Sequence, residues 1–232
     1  MNRSKKLFVK FPAGLFTVII TALTALPLNS ACAAEAAWTQ ERDKEGIRIY
    51  SRKTQEHRTS EYKGIAYIKV PMAGAIALFE DTGRTSEWMY QCKELRELPP
   101  KTPGERMFYL LQDFPAPAHQ RDAAVSRIRT PGISADSVIY TYFHVPGGYP
   151  PQVNVRRMLY FKSVWKFTPA KEGGVDVEYL FQADPGGHIP VWMFDNIFSV
   201  DLPFYTLRRL RELAQEPVYQ KAPLPAISTI AD

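Results

Sequence analysis

The clearest periodic signal in the chain is a hairpin whose two faces can be written out residue by residue. Setting Phe167 opposite Val177 places Trp165 across from Tyr179, Ser163 across from Phe181 and Phe161 across from Ala183. The same register brings Lys166 to Glu178, Thr168 to Asp176 and Lys162 to Gln182 on the other face. Only this register gives an apolar face and a charge-paired face together, because a slip of one residue exchanges the two.

Around the hairpin, alternating apolar and polar positions predict further strands over 47–52, 60–70, 93–98, 106–114, 121–129 and 138–144. The hairpin strands themselves read as 153–168 and 175–183. Val, Ile and Tyr content favours strand over helix in these runs, and Pro/Gly pairs mark the turns between them. Pro71 opens a helical pattern over 72–81, and a second short helix is predicted over 85–90, capped by Thr85 or Ser86. Met193, Ile197, Val200, Phe204, Leu207, Leu210 and Ala214 then recur at spacings of three and four, the stripe of one long amphipathic helix. Pro203 inside that stripe predicts a kink or break, with Asp201 as a cap. The order of elements predicts an α+β domain in which a curved antiparallel β-sheet wraps around a long C-terminal α-helix, with two short helices after the early strands.

Charge changes the picture only once it is located. The 29 basic and 24 acidic residues give +5, a value that hints at a polyanionic partner. Four of the basic residues, Arg3, Lys5, Lys6 and Lys10, lie at the start, and 18 uncharged residues follow from Phe11 to Leu28. With small residues at Ala31 and Ala33, this reads as a secretory signal peptide over 1–33, cleaved near Ala33. The remainder is nearly neutral, which argues against nucleic acid. Two other readings of the leader stand beside this one: an uncleaved membrane anchor, short and flanked by Pro12 and Pro27, or a lipidated Cys32, for which Asn29 is an ill-fitting residue. A periplasmic or secreted location follows from the first. Cleavage leaves Cys92 as a lone thiol. The mature chain then divides into a domain over 38–215 and a flexible tail over 216–232.

Known catalytic spacings are missing. His57, His119, His144 and His188 form no metal-binding motif, no C-x-x-C occurs, and neither a nucleophile elbow nor a phosphate-binding loop is present. No cofactor is expected.

Several motifs, taken in order, resemble the START lipid-transfer domain of the helix-grip, Bet v 1-like superfamily. They are the run from Gly46 to Arg52, Tyr62-Lys63-Gly64, Trp88, Gln120-Arg121-Asp122, Arg156 to Tyr160, and Trp165 to Pro169. The most specific is Asp184-Pro185-Gly186-Gly187-His188-Ile189-Pro190, with Trp192 and Asn196 in the helix after it. The resemblance spans roughly 38–213. It implies an apolar tunnel between sheet and C-terminal helix, a lid made by that helix or a nearby loop, and a lipid or other hydrophobic small molecule as partner.

On that basis the lining is expected to include Trp88, Tyr142, Trp165, Tyr179, Phe181, Met193, Ile197 and Val200, with Arg121 and Arg156 as candidate contacts for a polar head group. Arg121 and Asp122 are strand neighbours, so at most one faces inward. A structural ion pair or a surface position is the alternative for each charged residue, and a solidly filled core for each apolar one. The expected function is non-catalytic lipid binding or transfer by a monomer that touches membrane surfaces transiently. The alternative is a polyketide cyclase-like or hydrolytic enzyme of the same superfamily, which requires polar side chains converging deep in the pocket. A third reading, an envelope interaction protein, requires no ligand-sized pocket.

Overall fold

Strand-forming residues at alternating positions build ten strands among the described residues of the computed structural model, which are 36–100, 105–114, 116, 119–134, 136–195 and 200–223. The chain runs through β1 (Thr39–Lys44), β2 (Ile47–Arg52) and β3 (Glu61–Ile68), then α1 (Met72–Glu80), a 3-10 turn and α2 (Thr85–Trp88). There follow β4 (Cys92–Leu98), β5 (Arg106–Phe114), β6 (His119–Pro131), β7 (Val138–His144), β8 (Arg156–Arg157), β9 (Tyr160–Pro169) and β10 (Val175–Asp184). Three helices close the chain: α3 (Val191–Met193), α4 (Asp201–Leu213) and α5 (Pro217–Gln220).

The strands form one sheet in the order β1-β2-β3-β10-β9-β7-β6-β5-β4, with β8 paired in parallel to β6. All neighbours along the main path are antiparallel. The hairpin register is the one read from the sequence: Phe167 pairs with Val177, Trp165 with Tyr179, Ser163 with Phe181 and Phe161 with Ala183. The α+β helix-grip architecture is present, with α4 seated on the inward face. Its stripe of Leu202, Phe204, Leu207 and Leu210 is buried. Gly64 makes this seat: a Cβ there would stand 2.6 Å from Leu207 Cδ1 and 3.3 Å from Pro203 Cβ. Burying each of these Leu and Phe side chains contributes about 1.5–3 kcal/mol.

Several details differ from the sequence reading. The run 153–168 is not one strand: β8 and β9 are separate, and β8 crosses to pair with β6. β1 goes unpredicted because it is an exposed edge strand of the polar residues Thr-Gln-Glu-Arg-Asp-Lys, with no apolar alternation. The helical stripe from Met193 resolves into α3 and α4, with residues 196–199 outside the described residues. Asp201 is the first residue of α4 rather than its cap, and Pro203 lies in the first turn, where a missing N–H is harmless. Nor do Thr85 and Ser86 cap α2, which begins without a side-chain cap bond. Past Glu216, expected to be flexible, α5 packs with Tyr219 buried, and Arg84 donates to Glu216 at 2.5 and 2.9 Å.

The outward face is covered at one end. Leu98, Met107, Tyr109 and Leu111 form a second apolar cluster beneath Val145, Tyr149 and Val155 of the connection between β7 and β9. Strands β5 and β6 are therefore buried on both faces over much of their length.

Candidate functional site

Strand parity decides what faces the interior. On β6, Arg121, Ala123, Val125 and Arg127 share the face of Gln112, Leu110, Phe108 and Arg106 on β5. Asp122 points the other way, so only one of the Arg-Asp pair is inward, as the alternation requires.

Between this inward face and the start of α4 lies a small cavity. Gln112, Phe114, Phe161, Tyr179 and Phe181 of the sheet line it, and Phe194 and Leu202 close it. Its volume is about 10 Å³, room for one water. Apart from Gln112 and the Tyr179 hydroxyl, its side chains carry no polar group.

Tyr179 and Phe181 are thus walls of this cavity. Trp165 stands one layer behind, fully buried and stacked on Tyr179 with ring centroids 3.8 Å apart. Trp88 meets Trp165 edge to face at 5.6 Å. Tyr142 is buried on the inward face of β7 opposite Arg127, and burial raises its pKa. Met193 and Val200 are half-buried against the core. Ile197 and Asn196 lie outside the described residues. Burial pushes the Cys92 thiol up to about 12, so it stays protonated and inert at neutral pH.

The charged candidates separate. Arg121 is 3% exposed and donates from Nε to the Pro185 carbonyl at 2.8 Å, while burial and then the nearby Arg156 lower its pKa. Arg156 pairs with Arg121 in the register of β8 on β6 and shares its face, but its side chain is exposed to solvent. The residue beside it holds the buried partner: Arg157 donates to Asp122 at 2.7 and 3.0 Å.

The contributors missed by the sequence reading include Gln112, Phe114, Phe161, Phe194 and Leu202 of the cavity, and Arg127 beyond it. Arg127 is 6% exposed on the inward face, stacked over Phe108 at 5.0 Å and Tyr140 at 5.4 Å, and its Nη1 has no hydrogen-bond partner among the described residues. Leu202 stands two residues from both Val200 and Phe204, off the three-and-four spacing of the stripe, so that spacing does not single it out. For Gln112 and Arg127 the doubly buried β5 and β6 hide which face is which.

The segment closing the cavity is fastened at two points. The Asp195 carboxylate, 4% exposed, accepts from Lys53 Nζ at 2.7 Å and from the Ser60 hydroxyl at 2.9 Å and amide at 3.2 Å. Tyr62 donates its hydroxyl to the Asp195 carbonyl at 3.0 Å. Upstream, Gly186 and Gly187 turn the chain at φ of 65° and 72°, a left-handed conformation suited to glycine. Asp184 steadies that turn by accepting from Arg58 at 2.6 and 2.7 Å and from the Gly186 amide at 2.9 Å.

Burial works to raise the Asp184 pKa, but the Arg58 bonds and the Gly186 amide outweigh it, and the net value falls below the usual 3.8. A depressed carboxyl pKa stabilises the fold above the unfolded value, and that stability is lost as pH falls through the folded one. Acidification below pH 3.8 is therefore expected to loosen the turn, with faster amide exchange at 186–189. In Arg58→Gln the loosening should already be present at neutral pH, and an unchanged exchange profile in that variant would contradict the assignment.

Among the described residues, no group of three or more His, Cys, Asp or Glu side chains could hold a metal. No helix among them is long and apolar enough to cross a membrane.

Comparison with known proteins places this geometry in a family. The START domain family model matches residues 20–217, and the chain belongs to that family. It is similar to an uncharacterised protein of Pseudomonas aeruginosa, 30% identical over 184 residues that cover 77% of this chain and 87% of that one. Among solved structures it resembles a STAR-related lipid transfer protein from Xanthomonas axonopodis. That match has a TM-score of 0.69 at 27% identity and covers 77% of this chain and 99% of the other. Human StAR-related lipid transfer protein 5 shares the fold at 16% identity, with a TM-score of 0.67 over 77% of this chain and 88% of that one.

Proposed function

We propose that this protein is an exported carrier that binds a lipid or other hydrophobic molecule between the inward sheet face and α4, and releases it unchanged. The observation that carries this reading is the lining of the cavity: aromatic and aliphatic side chains with one amide and one phenol, and no acid–base pair among them. Such a lining suits a hydrocarbon better than a reaction. Burying a chain of about sixteen carbons gains on the order of 10 kcal/mol before the costs of association. The START family membership and the lipid transfer protein among its structural relatives support the same reading.

A cavity of about 10 Å³ cannot hold such a chain, since ligand sites start near 300 Å³. Binding on this reading requires Phe194 and Leu202 to swing out with the segments that carry them. Arg121 and Arg127, buried at opposite ends of the inward face of β6, are the groups able to meet a polar end of the ligand. Trp192 is 60% exposed on α3, beside the closing segment, and an indole there suits transient contact with a bilayer interface. The basic, apolar leader supports export.

Protein purified from its native host should yield a stoichiometric hydrophobe on solvent extraction and mass spectrometry. Extracts without lipid, together with no binding of fluorescent lipid analogues, would overturn the proposal. N-terminal sequencing of that material tests cleavage near Ala33.

A further inference from the structure

Among the buried donors without a partner in the described residues are two indole N–H groups. Trp88 is 1% exposed and Trp165 fully buried, and neither indole N–H has an acceptor among the described residues. Buried tryptophan N–H groups ordinarily find one, and leaving such a donor unmet destabilises the fold. Here two occur side by side, with rings edge to face and centroids 5.6 Å apart. They are reached from different elements: Trp88 is the last residue of α2, and Trp165 is central in β9.

Their surroundings explain why the fold supplies no acceptor. Phe79 lies against both rings at 5.7 and 5.2 Å, and Tyr179 covers the face of Trp165. Neither neighbour's side chain offers a carbonyl or carboxylate. The indole rings fill space that a phenyl ring would leave partly empty, but packing alone makes no use of their N–H groups. Tyr179 is also a wall of the cavity, which places the indole pair one side chain beyond the space where the ligand is proposed to enlarge the interior.

We infer that the indole N–H groups of Trp88 and Trp165 form a recognition point for an uncharged acceptor, a carbonyl oxygen of an ester or ketone on the ligand's hydrophobic skeleton. The inference rests on the proposed hydrophobe-binding function and narrows the ligand class. Neutral donors in a fully buried setting favour a neutral acceptor, because an anion there would lose its hydration without gaining a cation. A saturated hydrocarbon would leave both donors unmet.

The test offers the full protein an equimolar mixture of a long-chain methyl ester and the n-alkane with the same number of heavy atoms. The protein is repurified and the bound fractions are measured by gas chromatography. The ester-to-alkane ratio of the wild type is divided by that of Trp88→Phe/Trp165→Phe, which cancels the intrinsic partition of the two compounds. The expected quotient is about tenfold, the worth of one buried hydrogen bond otherwise left unmade. A cooperative thermal transition of the apo variant controls for folding, since each substitution removes an unmet donor but also replaces an indole by a smaller ring. A quotient near one overturns the inference and leaves hydrophobe binding intact. Binding of neither compound overturns both.

A second measurement needs no core substitution. The chain has four tryptophans, and in the ¹⁵N-labelled wild type two indole signals should move downfield with the ester and stay in place with the alkane. Equal responses to both compounds count against the recognition point.

Discussion

Replacing Arg157 with methionine is expected to lower stability by about 3–5 kcal/mol, the effect of stranding a buried charge without its partner. Asp122 is 1% exposed on the outward face of β6, and Arg157 grips it through both Nε and Nη2. Arg157 also donates to the carbonyls of Tyr149 at 2.9 Å and Pro150 at 3.2 Å, so it ties the covering connection to the sheet. The loss should reach the functional site as well. β8 holds its place through the Met158 amide bonded to Asp122 and the Leu159 amide bonded to Asp184, the residue that begins the glycine turn. A chemical-denaturation series measures the loss. If Arg157→Met costs less than 1 kcal/mol, the pair behaves like a surface ion pair and the assignment fails. The companion variant Asp122→Leu/Arg157→Met should recover much of the loss, because removing both charges leaves nothing buried and unpaired.

The sheet was most legible where its two faces differ. In β9 and β10 one face meets the core and the other meets solvent with paired charges, so the alternation of Trp165, Phe167 and Lys166 specifies the register by itself. In β5 the run Met-Phe-Tyr-Leu-Leu has no such contrast, because Val145, Tyr149 and Val155 cover its outward side. The strand could be placed but its inward residues could not, and Gln112 and Arg127 went unseen for that reason. Arg156 pairs with Arg121 and Arg157 with Asp122, so these two neighbours serve opposite faces, a division hidden while 153–168 reads as one strand. β1 was silent because an edge strand in solvent needs no apolar residues. Phe194 could not be assigned either, since its role depends on a closed segment whose path is set by tertiary anchors, Asp195 to Lys53 and Ser60.

Those anchors define the second large effect, expected for Phe194→Ala. Phe194 is 2% exposed, contacts Phe114 with ring centroids 6.0 Å apart, and shares the closing of the cavity with Leu202. Truncation should cost about 3–5 kcal/mol in the apo protein, because the site already borders a void and cannot collapse. Ligand binding should move in the opposite direction. A ligand that needs the open arrangement binds with an affinity reduced by the fraction of molecules that are open, so a form open in only about 1% of molecules binds about a hundredfold more weakly than its contacts allow. Removing the phenyl ring destabilises the closed form without touching the sheet-side lining, and the open fraction rises. Stopped-flow mixing with a fluorescent acyl-chain analogue should show association at least about tenfold faster than in the wild type, while thermal stability falls. Trp192→Ala, on the exposed side of the same segment, should leave association with free monomeric ligand unchanged and slow only transfer from vesicles. If Phe194→Ala lowers stability without accelerating association, Phe194 is a packing residue and the ligand reaches the interior by another route.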